Sequence, residues 1–112
     1  GFVTYSNQAK MDLLGVPENI LNQYGAVSEQ TALHMAVGAL KNSRADIAIS
    51  VTGIAGPGGG TDEKPVGLVY IGYAQKGNDT FASEHHFKGD RTNIREQTAI
   101  AALNLILKKL ST

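Results

Sequence analysis

"ADIAISVTGIAGPGGGTDEKPVGLVYIGYA", Ala45–Ala74, decides the architecture. Ile47, Ala48, Ile49 and Val51 make a nearly continuous apolar run, as a strand covered on both faces of an α/β sheet does. The run passes directly into "TGIAGPGGGTDEKP", the one low-complexity stretch, with five glycines and two prolines. β-Branched and aromatic residues then resume in "VGLVYIGYA". "TFASEHHF" follows across "QKGND", so these two segments read as strands of a hairpin.

Upstream, Ser28 is placed to cap "EQTALHMAVGALKNS", where Ala32, Met35, Ala36, Ala39 and Leu40 recur at helical spacing. Before it, Pro17 opens a short helix, "PENILNQY", that stops at Gly25. Ser6 caps "NQAKMDLL", with Gly15 as its stop. Phe2, Val3, Thr4 and Tyr5 read as the end of a strand. Downstream, "KGDR" opens "TNIREQTAIAALNLILKKL". Its C-terminal half is apolar on more than one face, which predicts a well-buried helix, with Lys108 and Lys109 near the negative helix end.

The order β-α-α-α-β-β-β-α predicts one α/β domain over residues 1–112, a mixed sheet flanked by helices. Only one strand precedes three helices, and it starts at residue 1. A sheet of this type usually has another strand and helix ahead, so the expected domain lacks its first strand and helix.

Composition narrows the function. Ten Lys plus Arg balance ten Asp plus Glu, so the net charge gives no footprint for nucleic acid or an anionic membrane. There is no cysteine, hence no disulfide and no thiolate metal site. No apolar run has the length of a membrane span, and no signal segment opens the chain. A cytoplasmic domain is the resulting expectation.

The glycine loop follows a strand, where α/β folds place ligands. It is no Walker loop, since Gly-Lys-Ser/Thr is absent, and no dinucleotide fingerprint, since a strand follows it rather than a helix. Two readings stand: a backbone cradle for an anion or oxyanion, and a solvent-facing hairpin connection. Thr52, between strand and loop, reads as a site residue or as a backbone-bonding turn residue.

Ser6 and Lys10 are four apart, on one helix face. Lysine can activate a serine only when neutral, and at a reference pKa of about 10.4 roughly one in 2,500 is neutral at pH 7. Burial would shift that balance; an exposed first turn would not. The alternative is plainer: Ser6 as N-cap and Lys10 as an exposed helix residue. His85 and His86, adjacent on a strand, point to opposite faces and cannot chelate one metal. His34 reads as a core-edge histidine, and Asp62 and Glu63 as loop acids. Arg91 and Arg95 begin the last helix, where free N–H groups also favour an anion; a solvated helix face reads equally well.

"GFVTYSNQAK", "GAVSEQTA", "SVTGIAGPGGGTDEKPVGLVYI" and "FKGDR" closely resemble the CinA C-terminal domain, the nicotinamide-nucleotide amidohydrolase (PncC) family, in the family's order and from Gly1 through the last helix. The resemblance implies a serine-lysine amidohydrolase of pyridine nucleotide salvage. Its reaction is the hydrolysis of nicotinamide mononucleotide to nicotinate mononucleotide and ammonia. The family's lysine in Tyr-Ser-Asn-x-x-Lys falls on Lys10 as general base, its tyrosine on Tyr5 in the proton network, and its threonine on Thr52. Gly53, Ser6 and Asn7 fall on the substrate side, and the arginine of Gly-Asp-Arg falls on Arg91 as phosphate ligand. The family's nucleophile lies in a Thr-Ala-Glu-Ser-Cys-Thr-Gly-Gly-like segment, which is not found among these 112 residues; Ser6 is not that serine. No cofactor or metal is implied. The expected partner is the small-molecule substrate, with a homo-oligomer of two or more copies. The rival expectation is a non-catalytic nucleotide-binding or regulatory module associated with competence or DNA damage.

Overall fold

The computed structural model describes residues 1–111. Helix α1 (Asn7–Leu14) starts where the Ser6 hydroxyl accepts from the Ala9 amide. It stops at Gly15, whose φ of 67° lies in the left-handed region that glycine enters without a Cβ penalty. Helix α2 (Glu18–Tyr24) follows Pro17 and ends at Gly25. Helix α3 (Glu29–Lys41) is capped by Ser28, which accepts from the Thr31 amide. Leu14, Val16, Leu21 and Met35 form a small core that fastens α1 and α2 to α3.

Three strands follow, β1 (Ile47–Gly53), β2 (Leu68–Gln75) and β3 (Phe81–His86), in spatial order β1-β2-β3 and antiparallel throughout. Helix α4 (Arg91–Leu110) closes the fold behind a capping box formed by Asp90 and Asn93.

The register explains how α3 seats on the sheet. Ala48 pairs with Ala74, and Ser50 with Gly72. These small side chains share one face and leave a shallow surface for Ala32 and Ala36, both fully buried. At Gly72 the approach is closest: a Cβ would stand 2.3 Å from the Ala32 carbonyl oxygen and 2.3 Å from Ser50 Oγ. That hydroxyl donates to the same carbonyl at 2.6 Å, a side-chain bond between helix and sheet. The opposite face carries Val69 and Ile71, packed on Ile94, with Ile49, Ala101, Ala102 and Leu105 around them.

The helices, the hairpin and the α/β class match the sequence reading, with three differences. Phe2–Tyr5 forms no strand: among the described residues no neighbour pairs with it, and Val3 and Tyr5 are 73% and 92% exposed. Without it the described sheet is antiparallel rather than mixed. β1 is fully covered on one face only: Ala48, Ser50 and Thr52 are buried, whereas on the other face Ile47 and Ile49 are half-buried and Val51 is exposed, because it is an edge strand and α4 packs over β2. Finally, α4 is not well buried. Its apolar residues fall into two stripes at helical period, and the sheet takes one of them. Ile94 is its single fully buried residue, while Ile100, Leu103, Leu107 and Leu110 stand in solvent.

Candidate active site

Lys10 lies in the first two turns of α1, a position fixed by the Ser6 cap and by its own amide bonding to the Ser6 carbonyl at 3.1 Å. It is only 6% exposed. Its Nζ donates to the Thr4 carbonyl, so residues 1–5 fold back over the start of the helix. Burial pushes the Lys10 ammonium below its usual pKa. Lysines this buried are uncommon, because removing an unpaired ammonium from water is costly.

A cavity of about 800 Å³ opens beside Lys10. Residues 1–5 form one wall and the free edge of β1, from Ala48 to Gly53, forms the other. Ala26, Val27, Met35 and Ala39 line the back. Among the described residues that line it there is no carboxylate, so no acid there holds the amine in its charged form. A buried amine in a largely apolar cleft gives up its proton more readily than one in water, and this one faces a space large enough for a nucleotide-sized ligand.

The cavity brings together four of the residues singled out in the sequence: Lys10, Tyr5, Thr52 and Gly53. They differ in what they can offer. Tyr5 is 92% exposed at the rim, and Lys10 bonds to the Thr4 carbonyl rather than to its phenol. Thr52 is buried and its hydroxyl donates to the Ala26 carbonyl at 2.6 Å. Its proton is therefore engaged, which leaves oxygen lone pairs for a ligand. Thr52 also ties the end of β1 to the connection ahead of α3, a bond spanning 26 residues rather than the local bond of a turn residue.

Ser6, Asn7 and Arg91 are not among the cavity's lining residues. Ser6 is the cap of α1, and Asn7 is the helix's exposed first residue. Arg91 Nη1 donates to the Gly56 carbonyl at 3.1 Å and so fastens the glycine loop to the start of α4. The first turn of that helix is partly occupied as well, since the Asp90 carboxylate accepts from the Asn93 amide at 2.9 Å.

Three contributors escaped the sequence reading. Thr4 acts through its backbone carbonyl, which no side-chain pattern reports. Ser50 reads as a polar interruption of an apolar strand, and that interruption was the available signal for a buried hydroxyl with a partner. Lys64, on which the sequence reading was silent, reaches with its Nζ the Tyr24 carbonyl at the end of α2 at 2.6 Å. With Arg91 it anchors both limbs of the glycine loop, whose neck is closed by bonds from Ile54 to Leu68 and from Gly67 to Ile54. His85 and His86 do face opposite sides: His85 meets Ser83 Oγ at 2.8 Å and His86 meets Glu84 at 3.0 Å.

Comparison with known proteins adds an independent line. The family model of the CinA C-terminal domain matches residues 1–110. A relative named nicotinamide-nucleotide amidohydrolase PncC, from Enterobacter agglomerans, is 52% identical over 97% of this chain and 66% of its own length. A CinA-like protein of Endomicrobium trichonymphae is 56% identical over 96% of this chain and 25% of its own length. The chain thus spans about a quarter of the longer relative and just under two thirds of the shorter. Among solved structures, the competence/damage inducible protein CihA of Agrobacterium tumefaciens superposes with a TM-score of 0.94. It is 50% identical, and the match covers 96% of this chain and 66% of that one.

Proposed function

This chain belongs to the CinA C-terminal domain family, and we propose that the protein it forms part of is a nicotinamide mononucleotide deamidase of pyridine nucleotide salvage. The observation that carries the reading is Lys10: a buried lysine, held below its usual pKa, on the floor of a cavity bounded by Thr52 and Gly53. A lysine kept out of water with no acid beside it suits a general base and has little value as a surface charge. The name of the Enterobacter agglomerans relative supports the same chemistry.

In this mechanism the attacking serine is not one of these 112 residues. Neutral Lys10 takes the serine proton as the serine oxygen bonds to the carboxamide carbon. The C–N bond then breaks, and Lys10 returns the proton to the departing nitrogen, which leaves as ammonia. Water attacks the resulting ester; Lys10 accepts a proton from that water and delivers it to the serine, freeing nicotinate mononucleotide. Tyr5 shares the proton network, and Thr52 with the backbone around Gly53 shapes the pocket around the reacting carbonyl. Arg91, whose Nη1 holds the glycine loop at Gly56 outside the cavity lining, is assigned the phosphate through its remaining guanidinium N–H groups. The mechanism calls on no metal or cofactor.

Ammonia release from nicotinamide mononucleotide by the intact protein tests this. Lys10→Ala is expected to abolish turnover, with a loss of at least about a hundredfold. Unchanged release in Lys10→Ala would refute the base assignment. Saturable binding of the nucleotide with no release from the unaltered protein would instead favour the non-catalytic nucleotide-binding module. That reading draws on the engaged hydroxyl of Thr52 and the loop-bound guanidinium of Arg91.

A further inference from the structure

Where α2 gives way to α3, the carbonyls of Tyr24, Gly25 and Ala26 are each held by a side chain. Lys64 Nζ donates to Tyr24 at 2.6 Å, and Thr52 Oγ1 donates to Ala26 at 2.6 Å. Between them, Ser28 Oγ and Thr31 Oγ1 donate to Gly25 at 3.0 Å and 2.6 Å. The donors come from the glycine loop, the end of β1 and the start of α3. Carbonyls at a helix end are often left to water, so a connection gripped from this many sides is an unusual one. Its place in the molecule gives the reason: Ala26 and Val27 line the cavity beside Lys10.

Of these donors Lys64 has the longest and freest side chain, and ordering it costs rotamer freedom. Its neighbours Asp62, Glu63 and Pro65 are exposed, yet Lys64 is half-buried. A reciprocal pair of bonds fixes its backbone. The Thr61 amide donates to the Lys64 carbonyl at 2.8 Å, and the Lys64 amide donates to Thr61 Oγ1 at 3.0 Å. The ammonium lies close over Gly25, where a Cβ would stand 3.0 Å from Nζ. At the last carbonyl of α2 it also meets the negative end of the helix.

We propose that Lys64 is a positioning residue of the deamidase site: by holding the Tyr24 carbonyl it fixes the connection that walls the cavity and orients the Thr52 hydroxyl. In this role it touches no substrate and acts through Ala26, Val27 and Thr52. The inference rests on the deamidase reading for its ligand. Lys10 is held separately, by the Ser6 cap and the Thr4 carbonyl. Loss of Lys64 therefore loosens the wall and leaves the base in place. The kinetic mark of such a loss is a raised KM with kcat kept.

Ammonia release from nicotinamide mononucleotide by the intact protein tests this. Lys64→Met keeps the stem, removes the donor, and is expected to raise KM about tenfold with kcat within about twofold. Lys64→Arg, which still donates to a carbonyl, should recover most of the loss. Lys64→Met and Thr52→Val release the same connection, so their effects on KM should be less than additive. Methyl NMR of labelled alanine and threonine gives a readout free of turnover. The Ala26 and Thr52 methyls should move in Lys64→Met, while those of Ala101 and Ala102 on α4 stay in place. An unchanged KM beside a lowered melting temperature would reduce Lys64 to a stabilising contact and overturn the proposal. Strict additivity with Thr52→Val, or unmoved Ala26 and Thr52 methyls, would overturn it too. If the unaltered protein releases no ammonia, the deamidase reading falls, and the methyl shifts alone decide whether Lys64 holds the wall.

Discussion

The contact between α3 and the sheet yields a prediction whose size follows from geometry. Gly72→Ala would place a methyl 2.3 Å from the Ala32 carbonyl oxygen and 2.3 Å from Ser50 Oγ, well inside contact distance. The carbonyl belongs to helix backbone and cannot rotate away, so either α3 lifts or Ser50 abandons its 2.6 Å bond. Overpacking of this kind costs about 1–3 kcal/mol, and a lost hydrogen bond about 1 kcal/mol more. The sum, about 2–4 kcal/mol, is a large fraction of the roughly 6–17 kcal/mol expected for a domain of this length. Urea denaturation of Gly72→Ala should therefore show a clear fall in midpoint with little change in slope. Ser50→Ala alone should lose only about 1 kcal/mol, since it removes the bond without adding volume. In the double variant the serine oxygen no longer blocks the new methyl, so the combined loss should be smaller than the sum of the two singles. Strict additivity, or a Gly72→Ala midpoint equal to that of the unaltered protein, would show that the close approach does not govern this interface.

Two further outcomes follow from α1. Burial lowers the Lys10 pKa, so between its folded value and the ordinary lysine value near 10.5 the unfolded chain binds a proton that the folded chain does not. Stability should rise with pH through that window, and below it the full penalty remains. Lys10→Met should accordingly be more stable than the unaltered protein at pH 7, with the gap closing as pH approaches 10.5 in urea titrations; parallel curves would contradict the sign. Ser6→Ala removes the cap of α1 and should cost about 1 kcal/mol. In the intact protein it should leave the proposed deamidation in place, whereas loss of that activity far beyond the stability change would return Ser6 to the reacting groups.

What the sequence disclosed, and what it hid, divides by the range of the interaction. The caps Ser6 and Ser28, the stop at Gly15 and the β2–β3 hairpin are settled within a few residues, and each was legible. The failure at Phe2–Tyr5 is of another kind. β propensity describes a fit to a neighbouring strand, and no strand of the described fold lies alongside. α4 shows the same limit, since two apolar stripes predict two coverings while the sheet supplies one. In the site, the residue types named from the family resemblance do gather at one cavity, apart from Ser6, Asn7 and Arg91. The bonds from Arg91 to Gly56 and from Lys64 to Tyr24 span 35 and 40 residues and depend on how the sheet folds back, so no local pattern announces them.

Those same two bonds have a practical consequence. They pin the limbs of the glycine loop and leave Pro57–Gly60 as a short exposed bridge between fixed ends. A side chain at Gly58 would meet nothing within 4 Å, and the chain carries no cysteine. A single thiol introduced there would thus be unique among these 112 residues, accessible, and held on a loop tied at both limbs. Labelled with a fluorophore, it becomes a reporter of that loop's movement, read without waiting for turnover.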